Sequence, residues 1–164
     1  MELWDAYDEN WQPTGGTLVR GEPIPDGSYH IVAEVLVRHV DGDFLLLRRD
    51  LNKPAYAGYY EAGTGGSALK GETPEQAALR ELYEESGIKA DKLTPLYRVC
   101  DKKTHGLYAG FLCVTDAPKD SIVLQEGETI AYKWVTAEEF VAFSRSDDAI
   151  PTLAARQSEY LKEI

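Results

Sequence analysis

The chain predicts an α/β fold in which a central mixed β-sheet lies between helices, and three observations predict it. Residues 29 to 40 are rich in β-branched and aliphatic side chains. Asp41-Gly42-Asp43 then turns the chain back into an apolar run at 44 to 48, so this pair is an antiparallel hairpin. A helix with two clear ends follows in mid-chain. After it, strands and helices alternate irregularly, which suits a mixed sheet better than a regular parallel one.

In chain order, residues 1 to 28 form an N-terminal arm with an acidic, aromatic start (Trp4, Tyr7, Trp11) and a Gly/Pro-rich run, PTGGTLVRGEPIPDGS. A short strand, a turn and an arm packed on the domain are expected there. After the hairpin comes a loop, RRDLNKPAYAGYYEAGTGG, with a short strand near 59 to 62. The central helix has Thr73 as N-cap, Pro74 at its first position, Gln76 completing a capping box and Gly87 as its stop. Strands are expected at 93 to 100, 107 to 114 and 129 to 135. Thr136 and Glu139 form a second capping-box pair, opening a helix from Ala137 to about Phe143. Pro151 opens a last helix with Leu153, Leu161 and Ile164 on one apolar stripe.

The central helix carries the chemistry. Glu81, Glu84 and Glu85 stand at i, i+3 and i+4, on one helical face within about 6 Å of axial rise. Like charges so placed repel one another, and a hard divalent cation with oxygen ligands turns that repulsion into binding. Ahead of the helix, Arg48, Arg49 and Lys53 form the main cationic group. The planar arginine fork suits phosphate oxygens, and lysine adds a point charge.

The stretch from Gly66 to Ile88, GSALKGETPEQAALRELYEESGI, matches the Nudix hydrolase signature G-x5-E-x7-R-E-U-x-E-E-x-G-U at every specified position, U being a bulky aliphatic residue. The resemblance implies a Nudix fold, an α/β/α sandwich, and a hydrolase that cleaves the diphosphate linkage of a nucleoside diphosphate derivative with Mg²⁺ or Mn²⁺. The expected metal ligands are Glu81, Glu84 and Glu85, with a backbone carbonyl near Gly66. Arg80 is expected to orient a glutamate of the box, and Glu72 to tie loop to helix or hold a metal-bound water rather than ligate directly. The general base is Glu84 or Glu128; Glu128 and Glu126 lie in EGETIAYKW, which resembles the region where the family often places such a group.

From Trp4 through Tyr60 the chain is also similar to the isopentenyl diphosphate isomerase branch, through DENWQPTG, YHIVAEVLV and LLLRRDLNKPAYAGYY. That similarity implies a diphosphate grip by Arg49 and Lys53 and a pocket-lining role for Trp134. It also raises a rival activity, isomerisation, from which the chain departs in several places. Gly65 stands where the isomerase needs a cysteine, Ser67 replaces a histidine ligand, and residues 102 to 114 hold no acid. His30 matches one isomerase ligand and reads as a core residue beside the site. A third reading is a nucleotide-binding module without catalysis, which would have no need of the self-repelling acids. Tyr56, Tyr59, Tyr60 and Tyr108 are further candidates for stacking a ring.

Length and composition agree with a soluble globular chain of one domain, residues 1 to 164. The chain is 43% hydrophobic and 27% charged. A formal net charge of −11 argues against a nucleic-acid polymer as partner. No run approaches the ~18 apolar residues of a membrane span. Cys100 and Cys113 have neither disulfide-framework nor zinc spacing and read as reduced strand residues of a cytoplasmic protein. The expected partner is a small-molecule diphosphate, and the aromatic arm is placed to cover a homodimer interface.

Overall fold

The computed structural model describes residues 1–164. Its elements are β1 (Leu3–Tyr7), β2 (Pro13–Val19), β3 (His30–His39), β4 (Phe44–Arg49), β5 (Tyr60–Ala62), β6 (Thr64–Ser67), α1 (Pro74–Ser86), β7 (Thr94–Asp101), β8 (Gly106–Thr115), β9 (Thr129–Val135), α2 (Ala137–Ser144) and α3 (Pro151–Leu161). The main sheet is mixed: β3 and β8 are parallel, and every other pairing in it is antiparallel. Alternate residues of β3 feed opposite faces, as the pleat requires. Ala33, Val35 and Val37 join Ala77, Ala78 and Leu82 of α1 in the larger core. Leu36 joins Phe44, Leu46, Phe140 of α2 and Tyr160 of α3 in the smaller one. The result is helix, sheet, helix. No helix is long and apolar enough to cross a membrane.

The functional geometry begins at the hairpin. Gly42 makes its turn with φ 103, and His39 N–H donates to Asp43 O at 2.7 Å. Yet β3 and β4 pair only at Arg38 and Phe44 before they part. The chain at 60 to 67 fills the gap by changing partners midway: β5 pairs with β4, and β6 pairs with β3. Gly63 is the crossing point. Its φ is +83, and a Cβ there would lie 1.8 Å from the Val35 carbonyl oxygen, so only glycine fits. A loop was expected where β6 runs, because Thr-Gly-Gly has little strand propensity; the pairing with β3 supplies what propensity does not.

The N-terminal arm is a second, two-stranded sheet, β1 against β2. Trp4 lies flat on His30, ring centroids 4.0 Å apart, and the Arg98 guanidinium sits 4.6 Å from the Trp11 ring. These aromatics are therefore spent on the chain's own domain. Of the apolar stripe expected on α3, Leu161 packs against the smaller core and Leu153 is half-buried, while Ile164 is corrected: it lies beyond the helix end and exposed, and the fully buried residues are Gln157 and Tyr160. An ion pair shielded from solvent fastens α3 as well. Arg156 Nε donates to Glu34 Oε2 at 3.0 Å while its Nη2 bonds Glu34 Oε1, and the Arg156 guanidinium covers the Tyr108 ring at 3.9 Å. Tyr97 donates its hydroxyl to the same carboxylate.

Candidate active site

α1 is capped as its sequence requires. Gln76 N–H donates to Thr73 Oγ1 at 3.1 Å, Thr73 N–H donates to Gln76 Oε1 at 2.9 Å, and Gly87 adopts the left-handed conformation, φ 76. Docking of Ala77, Ala78 and Leu82 on the sheet then divides the acidic face. Glu85 is turned inward, 5% exposed, whereas Glu84 is on the outer side and open to solvent. The three carboxylates that share this face thus differ in burial: Glu85 is buried, Glu81 is intermediate, and Glu84 is at the rim.

Arg80 is the hub of the outer half. Its Nε donates to Glu72 Oε1 at 2.7 Å and its Nη2 to Glu72 Oε2 at 3.0 Å, the paired geometry that arginine makes with a carboxylate. Nη1 reaches Glu81 at 2.7 Å and Glu84 at 3.2 Å, and Nη2 also donates to the Ser67 carbonyl at 3.1 Å. Glu72 accepts the Leu69 N–H at 2.8 Å, so loop, helix and β6 meet on one guanidinium. Burial alone would raise the Glu72 pKa, but the Arg80 fork and this N–H bring it below its ordinary value. Arg80→Lys keeps the charge and loses the fork. It is expected to lower stability by about 2 kcal/mol, read from denaturant midpoints, and to reduce turnover as Glu81 loses its fixed position.

The inner half faces a cleft of about 170 Å³. Glu85, Glu61, Gly65 and Gly66 line it, together with Arg49, Lys53, Glu128, Glu34, Thr64 and Thr129. Burial raises the Glu85 pKa well above 4.5, and repulsion from Glu61 and Glu81 adds to it. Glu61 and Glu81 are also raised, burial being the largest cause for each. The cations of the cleft are each matched to an acid: Arg49 Nη1 lies 3.3 Å from Glu61, and Lys53 bonds Glu128. The cleft therefore concentrates carboxylates that are hard to ionise together, beside two cations paired with Glu61 and Glu128.

Sequence reasoning placed Arg49, Lys53, Glu85, Gly66 and Glu128 here, and the fold brings all of them to the cleft wall. Arg80 and Glu81 stand behind it, and Glu84 lies at the rim. Trp134 is not brought in: it packs against the larger core, and its indole N–H donates to the Lys119 carbonyl at 2.9 Å. Glu126 is exposed, and none of the candidate tyrosines lines the cleft. His30 lies under Trp4, where burial lowers its pKa to about 4. Two acids were missed, Glu34 and Glu61. Each left a trace in the sequence, as a lone carboxylate within a strand that otherwise reads as apolar, HIVAEVLV and YYEA.

The cleft suits a hard cation by its chemistry: its donors are oxygens, it carries excess buried negative charge, and it has a glycine where a side chain would interfere. A Cβ at Gly66 would come within 2.4 Å of Glu81 Oε1. No three carboxylates converge on one ion-sized point in this arrangement, Glu81 and Glu84 being engaged by Arg80. To meet Glu85 on a bound ion, the Glu81 side chain would have to leave Arg80.

Comparison with known proteins gives the family and the fold. The family model for the NUDIX domain matches residues 28–161. An uncharacterized Nudix hydrolase of Listeria monocytogenes is 34% identical over 162 residues, covering 99% of this chain and 96% of that one. An isopentenyl-diphosphate Delta-isomerase of Corynebacterium diphtheriae is 30% identical over 152 residues, covering 86% of this chain and 82% of that one. A crystal structure from Deinococcus radiodurans superposes with a TM-score of 0.76 at 22% identity, covering 99% of this chain and 98% of the other, and shares the fold. With the signature complete and its loop, capped helix and buried glutamate assembled on one cleft, the chain belongs to the Nudix hydrolase family.

Proposed function

We propose that this enzyme hydrolyses the diphosphate linkage of a nucleoside diphosphate derivative, using Mg²⁺ or Mn²⁺ held by Glu81, Glu85 and the Gly66 carbonyl, with Glu84 at the rim. The observation that carries this reading is the juxtaposition, in one small cleft, of the buried Glu85 and its acidic neighbours with Arg49 and Lys53. A divalent cation bound there would offset the repulsion among the acids, polarise a phosphoryl oxygen and lower the pKa of a water.

The chain's own residues do the remainder. Arg49 and Lys53 exchange Glu61 and Glu128 for the diphosphate oxygens, so the anion gains two grips and Glu128 is released. Glu128 lines the cleft and Glu84 does not, which favours Glu128 as the group that takes the proton of the attacking water. Arg80 keeps Glu81 in register. A cleft of about 170 Å³ is below the usual size of a whole ligand site, so it fits the diphosphate and leaves the flanking groups on the rim.

The similarity to an isomerase reaches the cleft at Arg49 and Lys53 but does not include the thiol that isomerisation needs. No cysteine lines it, and burial pushes the Cys113 thiol, in the core, up to about 11. A panel of nucleoside diphosphates, sugar nucleotides, dinucleotides and coenzyme-type diphosphates, assayed with Mg²⁺ and with Mn²⁺, tests the proposal through identification of both products. Cleavage between the two phosphorus atoms is expected. Conversion of isopentenyl diphosphate to its double-bond isomer, with no hydrolysis of any compound, would overturn it.

A further inference from the structure

The cleft holds two side chains that the proposed chemistry leaves unused. Thr64 on β6 and Thr129 at the start of β9 both line it, and each is 5% exposed. Neither hydroxyl has a hydrogen-bond partner within the protein. A buried hydroxyl without a partner is a net cost to the fold, and such groups are rare enough that each calls for an explanation. The remaining orphan of this kind, His30 Nδ1, sits on a ring stacked under Trp4 and lines no part of the cleft.

Their surroundings say what kind of group they are suited to meet. Thr129 pairs in register with Arg49, the two side chains being cross-strand neighbours. It also follows Glu128, the partner of Lys53. Thr64 lies between Gly63 and Gly65, on the part of the cleft wall that Glu85 also lines. One hydroxyl thus stands with the cations and the other with the buried carboxylate. A threonine hydroxyl donates to an anionic oxygen and, unlike a third cation, adds no charge that Glu61 or Glu85 would neutralise.

We infer that Thr64 and Thr129 donate hydrogen bonds to the oxygens of the bound diphosphate, so that two donors left unsatisfied in the free enzyme are satisfied only in the complex. This rests on the diphosphate reading above and adds to it two positioning residues outside the signature. The arrangement favours binding because the free state carries the cost and the bound state removes it.

The test uses isosteric variants and a probe that needs no turnover. Thr64→Val and Thr129→Val are compared with the wild type and with the Ser variants. Thermal unfolding is followed without ligand, and inorganic pyrophosphate binding in excess Mg²⁺ is followed by calorimetry. Each Val variant is expected to unfold at or above the wild-type temperature and to bind pyrophosphate about tenfold more weakly, while each Ser variant binds like the wild type. Unchanged binding in both Val variants overturns this inference alone. So does a Val variant that is less stable without ligand, since its hydroxyl then has a structural partner. A wild type that binds no pyrophosphate with Mg²⁺ overturns the inference and the diphosphate reading together.

Discussion

Glu85→Gln is expected to lower Mg²⁺-dependent turnover by about a thousandfold while leaving the fold intact, a loss of ~4 kcal/mol in transition-state stabilisation. The side chain is isosteric and remains buried on α1, so packing against the sheet is retained. What disappears is the carboxylate that burial and its neighbours Glu61 and Glu81 hold in an unfavourable state. The pH dependence has a definite sign. Because the folded-state pKa is raised above 4.5, this group's contribution to wild-type stability is complete below the unfolded value and is lost as pH rises through the folded one. Glutamine does not titrate, so in chelator-treated buffer the Tm of the variant minus that of the wild type grows as pH rises from about 4.5. Added Mg²⁺ should narrow or reverse the difference, because the wild type alone gains the full binding energy. Wild-type turnover in the variant would remove Glu85 from the metal site, and a difference that shrinks with pH would contradict its raised pKa.

The same residue shows what sequence could and could not supply. The caps of α1 are local: Thr73, Gln76 and Gly87 act within a few residues of one another, so the spacing alone fixed both ends of the helix. The Asp41-Gly42 turn was legible for the same reason. Which glutamate of the helix faces inward is decided by how α1 docks, and spacing on one face could not separate Glu85 from Glu84. Glu61 and Glu34 escaped notice because their partners are distant in the chain: Arg49 for the first, Arg156 and Tyr97 for the second. Trp134 shows the reverse case, in which a role implied by resemblance met a local packing solution: the indole N–H satisfies Lys119 O on the chain itself. β2 and β6 were missed because Pro-Thr-Gly-Gly and Thr-Gly-Gly carry turn composition, and only their partner strands make them extended.

Substitution at Gly63 should have the largest effect on stability of any single change at the site. Gly63→Ala places a Cβ 1.8 Å from Val35 O and 2.8 Å from Val35 C, at φ +83. Backbone atoms cannot swing aside as a side-chain tip can, so relief requires β6 to lift off β3. That would break the pairings of Thr64 with Val35 and of Gly65 with Glu34. A loss above about 4 kcal/mol is expected, a large part of the total stability of a typical domain. Gly42→Ala is the control, because it has φ +103 but nothing within 4 Å of the added atom. Backbone strain alone should cost it about 1 kcal/mol. Equal denaturant midpoints for the two variants would mean that the strands absorb the collision and that the crossing is not what holds the site together. The expected gap between them follows from the architecture: Glu61 precedes Gly63, and Thr64 to Gly66 follow it. One residue without a side chain thus lets a single short segment serve both parted strands, and with them both the cationic and the acidic walls of the cleft.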